Sequence, residues 1–583
     1  MVVSNTARNL WHRRDRSRRI AAYGVAALGL IGLVSAASRP LRGRLEDLLQ
    51  VVPFLVPRTA AITLVFVSFA LLLTARGLRR GHRLAWLAAL TLLLASVVLH
   101  LAKGIDVEEA ALATTGAVWL VLHREAFPVR PSRAAATRAL VVGVGGGVVT
   151  LTVATGLATL GRRHHPHPGE SAHAAAVRLG SHGFFPLSFG GHFTTPTLVA
   201  VGLGVLGSTL WVLLSPRSPL PLTGAAHHAE RERAREVVRQ HGGGTLDYFA
   251  LRDDKQWFFT GNSVVAHAVR AGVCLVSPDP IGPRDEREET WAEFMAHAEK
   301  SGWSVSVLGA APEWLPHYER SGLHPVYLGD EAVVDCAAFS LEGRPMRGLR
   351  QAVHRLRRAG FTAAFHDPAI VDDELREQLQ ELSRTSRRGH AERGFSMTLS
   401  RLFDPEDTGL LLSVARDRAG RPVAFVQWVP ARDLNGWSLD VMRRSTREGL
   451  PNGIMDFLLV ETIRHVAAAG GGGLGLNFAV MRSVVAGEYA GPLARVGRGV
   501  LNRASGRAQI ESLWRFNAKY RPRWVPRYVV LGSVDALAGQ GLVMAGAEGF
   551  GHLPVLRRPT GLRRPREASP SRAWWTTHPA PRG

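Results

Sequence analysis

The pattern of apolar positions divides the chain near residue 215. Before that point, long apolar runs follow one another with short polar connections; after it, apolar and charged residues interleave as in a globular protein. A run of about 20 apolar residues is long enough to cross a bilayer as a helix. The apolar runs cover residues 20–38, 59–75, 84–102, 107–122, 139–160 and 195–214. The pattern therefore predicts a membrane domain over 20–214 with about six transmembrane helices.

The arginines between these runs predict the orientation of the membrane domain, because cytoplasmic connections carry an excess of Arg and Lys. The N-terminus (1–19), the second-to-third connection and the fourth-to-fifth connection are Arg-rich, whereas the third-to-fourth connection holds Asp106, Glu108 and Glu109. We therefore expect the N-terminus and residue 215 to lie in the cytoplasm. The first-to-second connection departs from this rule, since its arginines are only partly offset by Glu46 and Asp47.

The region after residue 215 alternates strand-like and helix-like segments, which is typical of an α/β fold. A Pro- and Ser-rich linker (215–229) leads into a first unit (230–360) and a second unit (361–556), and the basic tail 557–583 has no apolar period and is predicted to be disordered. The order strand, strand, strand, helix, strand in the second unit resembles the acetyltransferase-like (GNAT) fold, and the first unit has a similar count of elements. The predicted architecture is thus a multi-span α-helical membrane region followed by a soluble α/β region with two such units in tandem.

The net charge of +23 favours a polyanionic partner, either nucleic acid or an anionic membrane surface. Arg-rich, Lys-poor usage is also what a genome of high GC content produces, so part of the excess has that alternative explanation. The two cysteines, Cys274 and Cys336, lie in apolar, strand-like contexts and are interpreted as core residues.

Two further polar features have a functional and a structural interpretation. The connection 161–194 is rich in histidine, which fits either a metal-binding tract or, as we favour, a solvated loop, because no Cys or carboxylate cluster accompanies it. The predicted spans hold few ionisable residues, which argues against an ion pump. The segment 346–360 is a basic helix that either contacts phosphates or exposes its arginines to solvent.

The segment Ser512–Tyr528 combines cations with aromatic residues at the end of the second unit. Its cations suit a nucleic-acid end or a lipid phosphate, and its aromatic rings suit stacking on bases or core packing. The residues concerned are Arg515, Lys519 and Arg527 among the cations, and Trp514, Phe516, Tyr520 and Trp524 among the rings.

This segment and five shorter motifs, taken in order, resemble one family. The motifs are Gly329–Ala332 (GDEA), Glu392–Ser396 (ERGFS), Asp440–Arg443 (DVMR), Met455–Asp456 and Leu476–Phe478 (LNF). Over roughly residues 225–555 the chain resembles the C-terminal domain of phosphatidylglycerol lysyltransferases, the synthase part of MprF-type aminoacyl-phosphatidylglycerol synthases, in their actinobacterial, LysX-like branch.

The resemblance implies a membrane-bound transferase that moves an aminoacyl group, commonly lysyl, from aminoacyl-tRNA to the glycerol hydroxyl of phosphatidylglycerol. It implies a cytoplasmic catalytic domain in a multi-pass protein of the cell membrane, no cofactor and no metal, and a lipid product that lowers attraction for cationic peptides. The set of spans resembles the synthase-associated set without an independent flippase. The acceptor lipid, the transferred amino acid and a homo-oligomeric state are left open by the sequence.

The chain departs from the family pattern in its closing segment. Where many members have an Arg and a first Lys, this chain has Trp514 and Asn517, and Gly-Glu-Glu-Ala is here Gly-Asp-Glu-Ala. The carboxylates are kept, while the changed cations leave the identity of the donor open.

The reaction that the resemblance implies is a transesterification, which needs positioning, proton transfer and oxyanion stabilisation. Since no G-x-S-x-G motif occurs, direct transfer is preferred to a covalent intermediate. Asp440, with Arg443 nearby, and Asp456 are each a candidate general base or ammonium ligand; the alternative for Asp456 is a helix cap. The predicted catalytic residues are Asp440, Arg443, Asp456 and Lys519. The predicted binding residues are Glu331, Glu392, Ser396, Asn477, Arg515, Phe516, Tyr520, Trp524 and Arg527.

Two other functions compete with this hypothesis. A lipid flippase or transporter with a regulatory soluble domain is disfavoured by the few polar residues in the spans. An acyl-CoA-dependent N-acyltransferase is disfavoured because no Q/R-x-x-G-x-G/A loop opens a helix, and Gly470–Gly473 lies at a helix end, where the dipole disfavours anions.

Overall fold

The computed structural model describes residues 2–37, 55–130, 133–160, 194–213, 222–387, 394–399, 401–480, 514–532 and 537–548. The His-rich connection and the basic tail predicted from the sequence lie outside the described residues, and so do Glu392 and the linker up to residue 221.

Among the described residues, six helices precede the α/β region, and each overlaps one of the six apolar runs. They are α1 (Val2–Ala37), α2 (Leu55–Arg79), α3 (Arg83–Gly104), α4 (Val107–Leu122), α5 (Arg133–Leu160) and α6 (Thr194–Leu213). Within the described residues, two stretches are long and apolar enough to cross a bilayer, Arg13–Ala37 and Arg83–Lys103. A helical membrane region is therefore present, and the count of six spans stays a prediction.

Small residues let the membrane helices approach each other closely, as they do in lipid-embedded bundles. A Cβ at Gly32 of α1 would lie 2.3 Å from Ser68 Oγ of α2, and a Cβ at Gly146 of α5 would lie 2.5 Å from Val205 Cγ1 of α6. These two glycines thus set the spacing of the helix pairs α1–α2 and α5–α6.

The α/β region contains eleven strands and seven helices among the residues that the structure describes. The strands are β1 (Gln256–Thr260), β2 (Ser263–Arg270), β3 (Val273–Val276), β4 (Ser304–Ala310), β5 (His324–Asp335), β6 (Thr362–His366), β7 (Leu411–Arg416), β8 (Pro422–Ala431), β9 (Gly436–Arg444), β10 (Gly473–Val480) and β11 (Arg523–Leu531). The helices are α7 (Gly224–His241), α8 (Arg287–Ser301), α9 (Leu315–Arg320), α10 (Arg347–Arg358), α11 (Asp373–Arg387), α12 (Ile454–Ala468) and α13 (Leu537–Ala547).

All eleven strands form one continuous sheet in the order β1-β2-β3-β4-β11-β5-β10-β9-β8-β7-β6. Each half runs through an antiparallel meander into a parallel pair, β3 with β4 and β9 with β10. The last strand of each half then crosses over, so that β11 lies between β4 and β5, and β5 lies between β11 and β10. The two units predicted from the sequence therefore share their closing strands.

Helices cover both faces of this sheet. We call the face packed against α8, α9, α10 and α12 the α12 face, and the face packed against α7, α11 and α13 the α7 face. Because successive strand side chains point to opposite faces, Ala332 and Trp524 belong to the α12 face, whereas Glu331 and Arg527 belong to the α7 face.

One long strand contains the motif Gly329–Ala332. β5 runs unbroken from His324 to Asp335. A partner strand on each side satisfies its backbone groups, β11 on one and β10 on the other. The motif is therefore central in the sheet, and Glu331 is only 1% exposed.

The α/β region docks on the bundle through α8. Arg18 Nη2 of α1 lies 2.5 Å from Glu299 Oε1, and Arg18 Nε donates to the Ala126 carbonyl at 2.6 Å. A Cβ at Gly302 would lie 3.3 Å from His82 Nε2, so the helix end itself touches the bundle. The α/β region thus contacts the end of the bundle that carries the N-terminal arginines.

Candidate functional site

The predicted site residues fall on both faces of the sheet. Glu331, Arg527, Asp440 and Ser396 lie on the α7 face, while Asp456, Phe516, Tyr520 and Trp524 pack with the hydrophobic cluster of the α12 face. The structure therefore does not gather them into one pocket. It forms two polar groups with the centre of the sheet between them.

The centre of the first group is a buried ion pair. Arg527 donates to Glu331 Oε2 from Nε at 2.9 Å and from Nη2 at 2.6 Å, and Nη2 also donates to Thr245 Oγ1 at 2.7 Å. The side chains of Arg527 and Glu331 are 10% and 1% exposed. Both Arg527 contacts on Glu331 go to one oxygen, so the guanidinium does not bridge the carboxylate.

The second oxygen of Glu331 has no hydrogen-bond partner within the described residues, and the same is true of the buried Ser438 Oγ. Both oxygens flank Gly475: a Cβ there would lie 3.1 Å from Glu331 Oε1 and 3.1 Å from Ser438 Oγ. The glycine thus leaves open a space bordered by two oxygens. Buried oxygens without donors are costly, and a ligand that supplies N–H groups would satisfy them.

Two further carboxylates, the buried Asp279 and the half-buried Asp247, interact electrostatically with Arg527. Burial raises the pKa of Asp247, although hydrogen bonds from the Gly244 and Gly243 amides oppose the shift. Burial also raises the pKa of Asp279 to about 7, although Tyr318 and the Ala311 amide donate to it. The pKa of Arg527 is raised because Glu331, Asp279 and Asp247 together outweigh the effect of burial. Among the described residues of this first polar group, carboxyl groups therefore outnumber cations.

Asp440 lies on the same face at a β-bulge. Leu439 pairs with Trp428 and Val441 with Gln427, so Asp440 is the extra residue of β9. Its Oδ1 accepts from the Leu399 amide at 2.7 Å and its Oδ2 from Gln427 Nε2 at 2.8 Å. Bulges are over-represented next to active sites, where they redirect a side chain. Here the bulge aims the carboxylate at the loop before Leu399.

The sheet opens beside this bulge. β9 and β10 are parallel but pair only at Leu474 with Trp437 and at Gly475 with Ser438, while β10 shifts register against β5 between Gly475 and Phe478. Beyond Gly475, in the part of β10 that the structure describes, the two strands no longer pair. The space at Gly475 therefore lies where the parallel strands separate.

The second polar group, which we call the Asp456 group, consists of Asp456, Lys519 and Tyr520 and lies at the start of α12. Asp456, in the first turn, accepts from Lys519 Nζ at 3.1 and 3.0 Å and from the Tyr520 hydroxyl at 2.9 Å. Burial, followed by the nearby Asp456, raises the pKa of Tyr520 well above its ordinary value. A carboxylate is favoured at a helix N-terminus. Asp456 thus acts at least as a partner that fixes the closing segment to α12.

Ser396 is held by a carboxylate from the C-terminal helix. Glu548 accepts from the Phe395 amide at 3.0 Å, from the Ser396 amide at 3.1 Å and from Ser396 Oγ at 2.6 Å. No local sequence pattern indicates a role for Glu548, because its contact with Ser396 spans 152 residues.

The other predicted residues have less defined roles. Arg443 is partly buried and donates to the Met442 carbonyl, and Arg515 is exposed on the short helical segment 514–518. Phe516 and Trp524 are partly buried against the core of the α12 face, as the core-packing alternative expected. The backbone of Asn477 belongs to β10.

Several polar residues of the site were missed by the sequence analysis. Thr245, Asp247, Gln427 and Ser438 come from unrelated segments and meet only through the sheet. Asp279 lies in the Pro-Asp-Pro loop after β3, and a charged residue between two prolines after a buried strand was the available sequence signal.

Lys255 is a buried cation near the same loop. Its Nζ donates to the carbonyls of Phe249 at 2.8 Å and Ser277 at 2.5 Å, and lies 4.8 Å from the centroid of the Phe395 ring. Burial lowers the pKa of Lys255 to about 7. Both cysteines are buried and free, as the sequence predicted.

Within the described ranges, two groups of three side chains have the spacing of metal ligands. They are His100, Asp106 and Glu109 in the bundle, and His228, Glu232 and Glu406 on α7 and a nearby loop. In the first group Lys103 Nζ already donates to Asp106 at 3.1 Å, and the second group is largely exposed. Neither group includes Glu331, Asp440 or Asp456.

The basic helix α10 buries an apolar stripe and exposes its charges. The buried residues Leu349, Ala352, Val353 and Leu356 follow helical spacing, and they pack in the cluster of the α12 face. Arg355 Nη2 donates to the Asn452 carbonyl at 2.8 Å, just before α12. Arg355, one of the exposed cations of α10, therefore lies next to the start of α12.

Fold and site together define a helical membrane region joined to an α/β domain with a buried acidic centre. Residues 235–531 match the family model of the phosphatidylglycerol lysyltransferase C-terminal domain, and residues 13–215 match that of the transmembrane region of lysyl-tRNA synthetase. The chain belongs to the phosphatidylglycerol lysyltransferase C-terminal family. The resemblance noted from the ordered motifs is thereby confirmed.

Curated relatives carry the same two regions within longer chains. The lysylphosphatidylglycerol biosynthesis bifunctional protein LysX of Mycobacterium marinum is 34% identical over 518 residues, which cover 84% of this chain and 46% of that protein. LysX of Mycobacterium avium is 32% identical over 555 residues, covering 92% of this chain and 46% of that protein. The chain spans about half the length of these relatives. The solved structure of L-PGS from Bacillus licheniformis is 24% identical and covers 55% of this chain and 96% of that one, with a TM-score of 0.49.

Proposed function

We propose that this protein transfers an aminoacyl group, lysyl in the first instance, from aminoacyl-tRNA to phosphatidylglycerol. The observation that carries the proposal is the buried Glu331 oxygen that lacks a hydrogen-bond donor within the described residues and borders the space at Gly475. An ammonium group has three N–H donors and no acceptor. The substrate's ammonium would therefore supply what the site lacks.

The charges around Glu331 favour a cationic ligand. Arg527 offsets one carboxylate, while Asp247 and Asp279 add acidic groups within its electrostatic range. A bound ammonium would lower the pKa of those carboxyls by favouring their charged forms. The lysyl group carries two ammonium groups, and the acidic centre suits one of them.

The transfer needs no cofactor in this scheme. The lipid hydroxyl oxygen attacks the ester carbonyl carbon, a new ester bond forms, the bond to the tRNA ribose oxygen breaks, and the hydroxyl proton passes to that ribose oxygen. Asp440 is the candidate proton carrier on the α7 face, and Asp456 with Lys519 is the alternative on the α12 face. Arg443 would stabilise the developing oxyanion.

The separation of β9 from β10 offers a path between the two faces. In this arrangement the aminoacyl arm passes beyond Gly475, with its ammonium on Glu331, while the tRNA end rests on the α12 face. That face carries the exposed arginines of α10 and the closing residues Arg515, Phe516 and Tyr520. Phosphate contacts by arginine position a nucleic acid without reading its sequence.

The proposal also includes the tandem fold, the number of membrane spans and the side of the membrane on which the catalytic domain lies. The repeated meander and parallel pair support a tandem acetyltransferase-like fold, and the six helices support a six-span, multi-pass protein of the cell membrane. Docking of α8 beside Arg18 supports a cytoplasmic catalytic domain, because Arg-rich ends favour the inner side. The lipid product would reduce negative surface charge and so favour resistance to cationic peptides. A homo-oligomer stays a prediction.

Lipid analysis tests the function directly. The protein is expressed in a host that lacks aminoacylated lipids, and the extract is examined by mass spectrometry. We expect a new lysyl-phosphatidylglycerol. A different aminoacyl mass would correct the donor, whereas absence of any aminoacyl lipid from membranes that contain the folded protein would refute the proposal in favour of a flippase or an acyl-CoA-dependent transferase.

A further inference from the structure

The loop Gly394–Leu399 links the C-terminal helix to Asp440. At its start, the amides of Phe395 and Ser396 and the Ser396 hydroxyl donate to Glu548. At its end, the Leu399 amide donates to Asp440 Oδ1 at 2.7 Å. The loop thus donates hydrogen bonds to the Glu548 carboxylate at its start and to the Asp440 carboxylate at its end.

A buried arginine holds the middle of the same loop. Arg252 Nη1 donates to the carbonyls of Gly394 and Thr398 and to Thr398 Oγ1, and that hydroxyl in turn donates to the Gly394 carbonyl at 2.9 Å. With φ at +109°, Gly394 adopts a backbone conformation that favours glycine. The part of the loop between Ser396 and Leu399 is therefore held by hydrogen bonds from Arg252 and Thr398.

The packing of α13 against the sheet determines the position of Glu548. Met544 and Ala547 of α13 are buried in the same cluster as Phe395, Leu275 and Leu531. The Glu548 amide still donates to the Met544 carbonyl at 2.9 Å, so the residue continues the helix. Its carboxylate is thus directed by an apolar contact of the helix with the sheet, independent of its charge.

We propose that Glu548 is a positioning residue for the transfer site, acting through the loop Gly394–Leu399 on Asp440. The inference rests on the proposed function, because it assigns Glu548 to that reaction. Glu548 lies beyond the family match, which ends at residue 531. The C-terminal helix is accordingly part of the site's support in this chain.

The inference depends on the carboxylate of Glu548, because three hydrogen-bond donors contact it. In Glu548→Gln the amide keeps the volume but turns an N–H₂ group toward one of these donors. In Glu548→Ala the three donors face an empty space that a small carboxylate can enter. Acetate is therefore a specific probe of the site, because it replaces the missing group without repairing helix packing.

The test measures aminoacyl transfer by the purified full chain in phosphatidylglycerol vesicles with lysyl-tRNA. A misplaced catalytic group commonly costs about 100-fold, and we expect losses of about that size in kcat for both variants, with KM for the lipid little changed. Rising acetate should restore Glu548→Ala and leave Glu548→Gln inactive. The control, Glu289→Gln, changes an exposed carboxylate of α8 and should match wild type.

Hydrogen exchange supplies a second readout. The Leu399 amide should exchange faster in Glu548→Gln, and Ser396→Ala, which removes one of the three donors, should show a smaller loss of rate that acetate does not restore. Wild-type rates in Glu548→Ala, or a loss that acetate fails to restore in folded protein, would overturn the inference. An inactive wild type would instead count against the proposed function.

Discussion

Arg527 and Glu331 form a buried ion pair in which both arginine donors contact one carboxylate oxygen, at 2.9 and 2.6 Å. The arrangement leaves Glu331 Oε1 beside Ser438 Oγ and Gly475, without a donor in the described part of the chain. Arg527 thus orients the Glu331 carboxylate through one oxygen. In the proposed function, the other oxygen binds the ammonium group of the substrate.

Replacing Glu331 by Gln should abolish lysyl transfer. The change keeps the shape but removes the charge that balances Arg527, so the free energy of unfolding should fall by about 3 kcal/mol, as for other broken buried pairs. Product formation and chemical unfolding are both measured, with Glu342→Gln, an exposed carboxylate, as control. Full transfer by a folded Glu331→Gln variant would remove this residue from the recognition site.

Replacing Gly475 by Ala should weaken substrate binding while the fold persists. The methyl group would occupy the space between Glu331 Oε1 and Ser438 Oγ, at 3.1 Å from each. Loss of one charge-assisted hydrogen bond, about 1.5 kcal/mol, corresponds to about a tenfold rise in KM for aminoacyl-tRNA. Gly473→Ala is not a suitable control, because Leu434 is close. Gly539→Ala is suitable, because no atom of the described residues lies within 4 Å of its Cβ position. An unchanged KM would place the ammonium elsewhere.

Replacing Asp440 by Asn should stop product formation and leave membrane insertion intact. One of its two donors, the Leu399 amide or Gln427 Nε2, would then face an amide N–H₂. Adding Gln427→Glu restores donor–acceptor complementarity in the double variant. If the double variant regains the rate, Asp440 acts by position; if it stays inactive, the carboxylate at 440 takes part in proton transfer. Near-normal yield from Asp440→Asn alone would exclude the residue from the site.

The Asp456 group should affect the tRNA substrate more than the lipid. In Asp456→Asn both the Lys519 contact and the Tyr520 hydrogen bond weaken. We expect kcat/KM for aminoacyl-tRNA to fall, with the dependence on phosphatidylglycerol unchanged. Tyr520→Phe is the matched variant, because it removes one hydrogen bond and keeps the Lys519 pair. An equal loss on the lipid side would argue against a tRNA site on the α12 face.

Lys255 should make stability depend on pH. Its folded-state pKa is lowered to about 7, whereas an unfolded Lys keeps its proton to about pH 10.4. Between these values the unfolded state binds more protons, so the stability contribution of this group rises with pH from about 7 to about 10. It is lost as pH falls from about 10 to about 7, and below that both states are protonated. Unfolding of wild type and Lys255→Met is followed across this range. The same slope in both would show that Lys255 does not titrate as described.

The sequence by itself determined the elements and the division at residue 215. Apolar runs of membrane length, the alternation of strand-like and helix-like segments after residue 215 and the basic helix 346–360 are local patterns, and the structure has helices or strands in each of these regions. The ordered motifs likewise sufficed to recognise the family. These features depend on residues that are close in the chain, so they can be predicted without knowledge of the tertiary structure.

Only the tertiary structure decided which residues meet. It separated Glu331 and Asp440 from Asp456 and Lys519, because alternate strand residues face opposite sides and a bulge at Asp440 breaks that alternation. It also brought Glu548 to Ser396 across 152 residues. Such contacts follow from the crossover of β5 and β11 within one sheet, and no local periodicity encodes the order of strands.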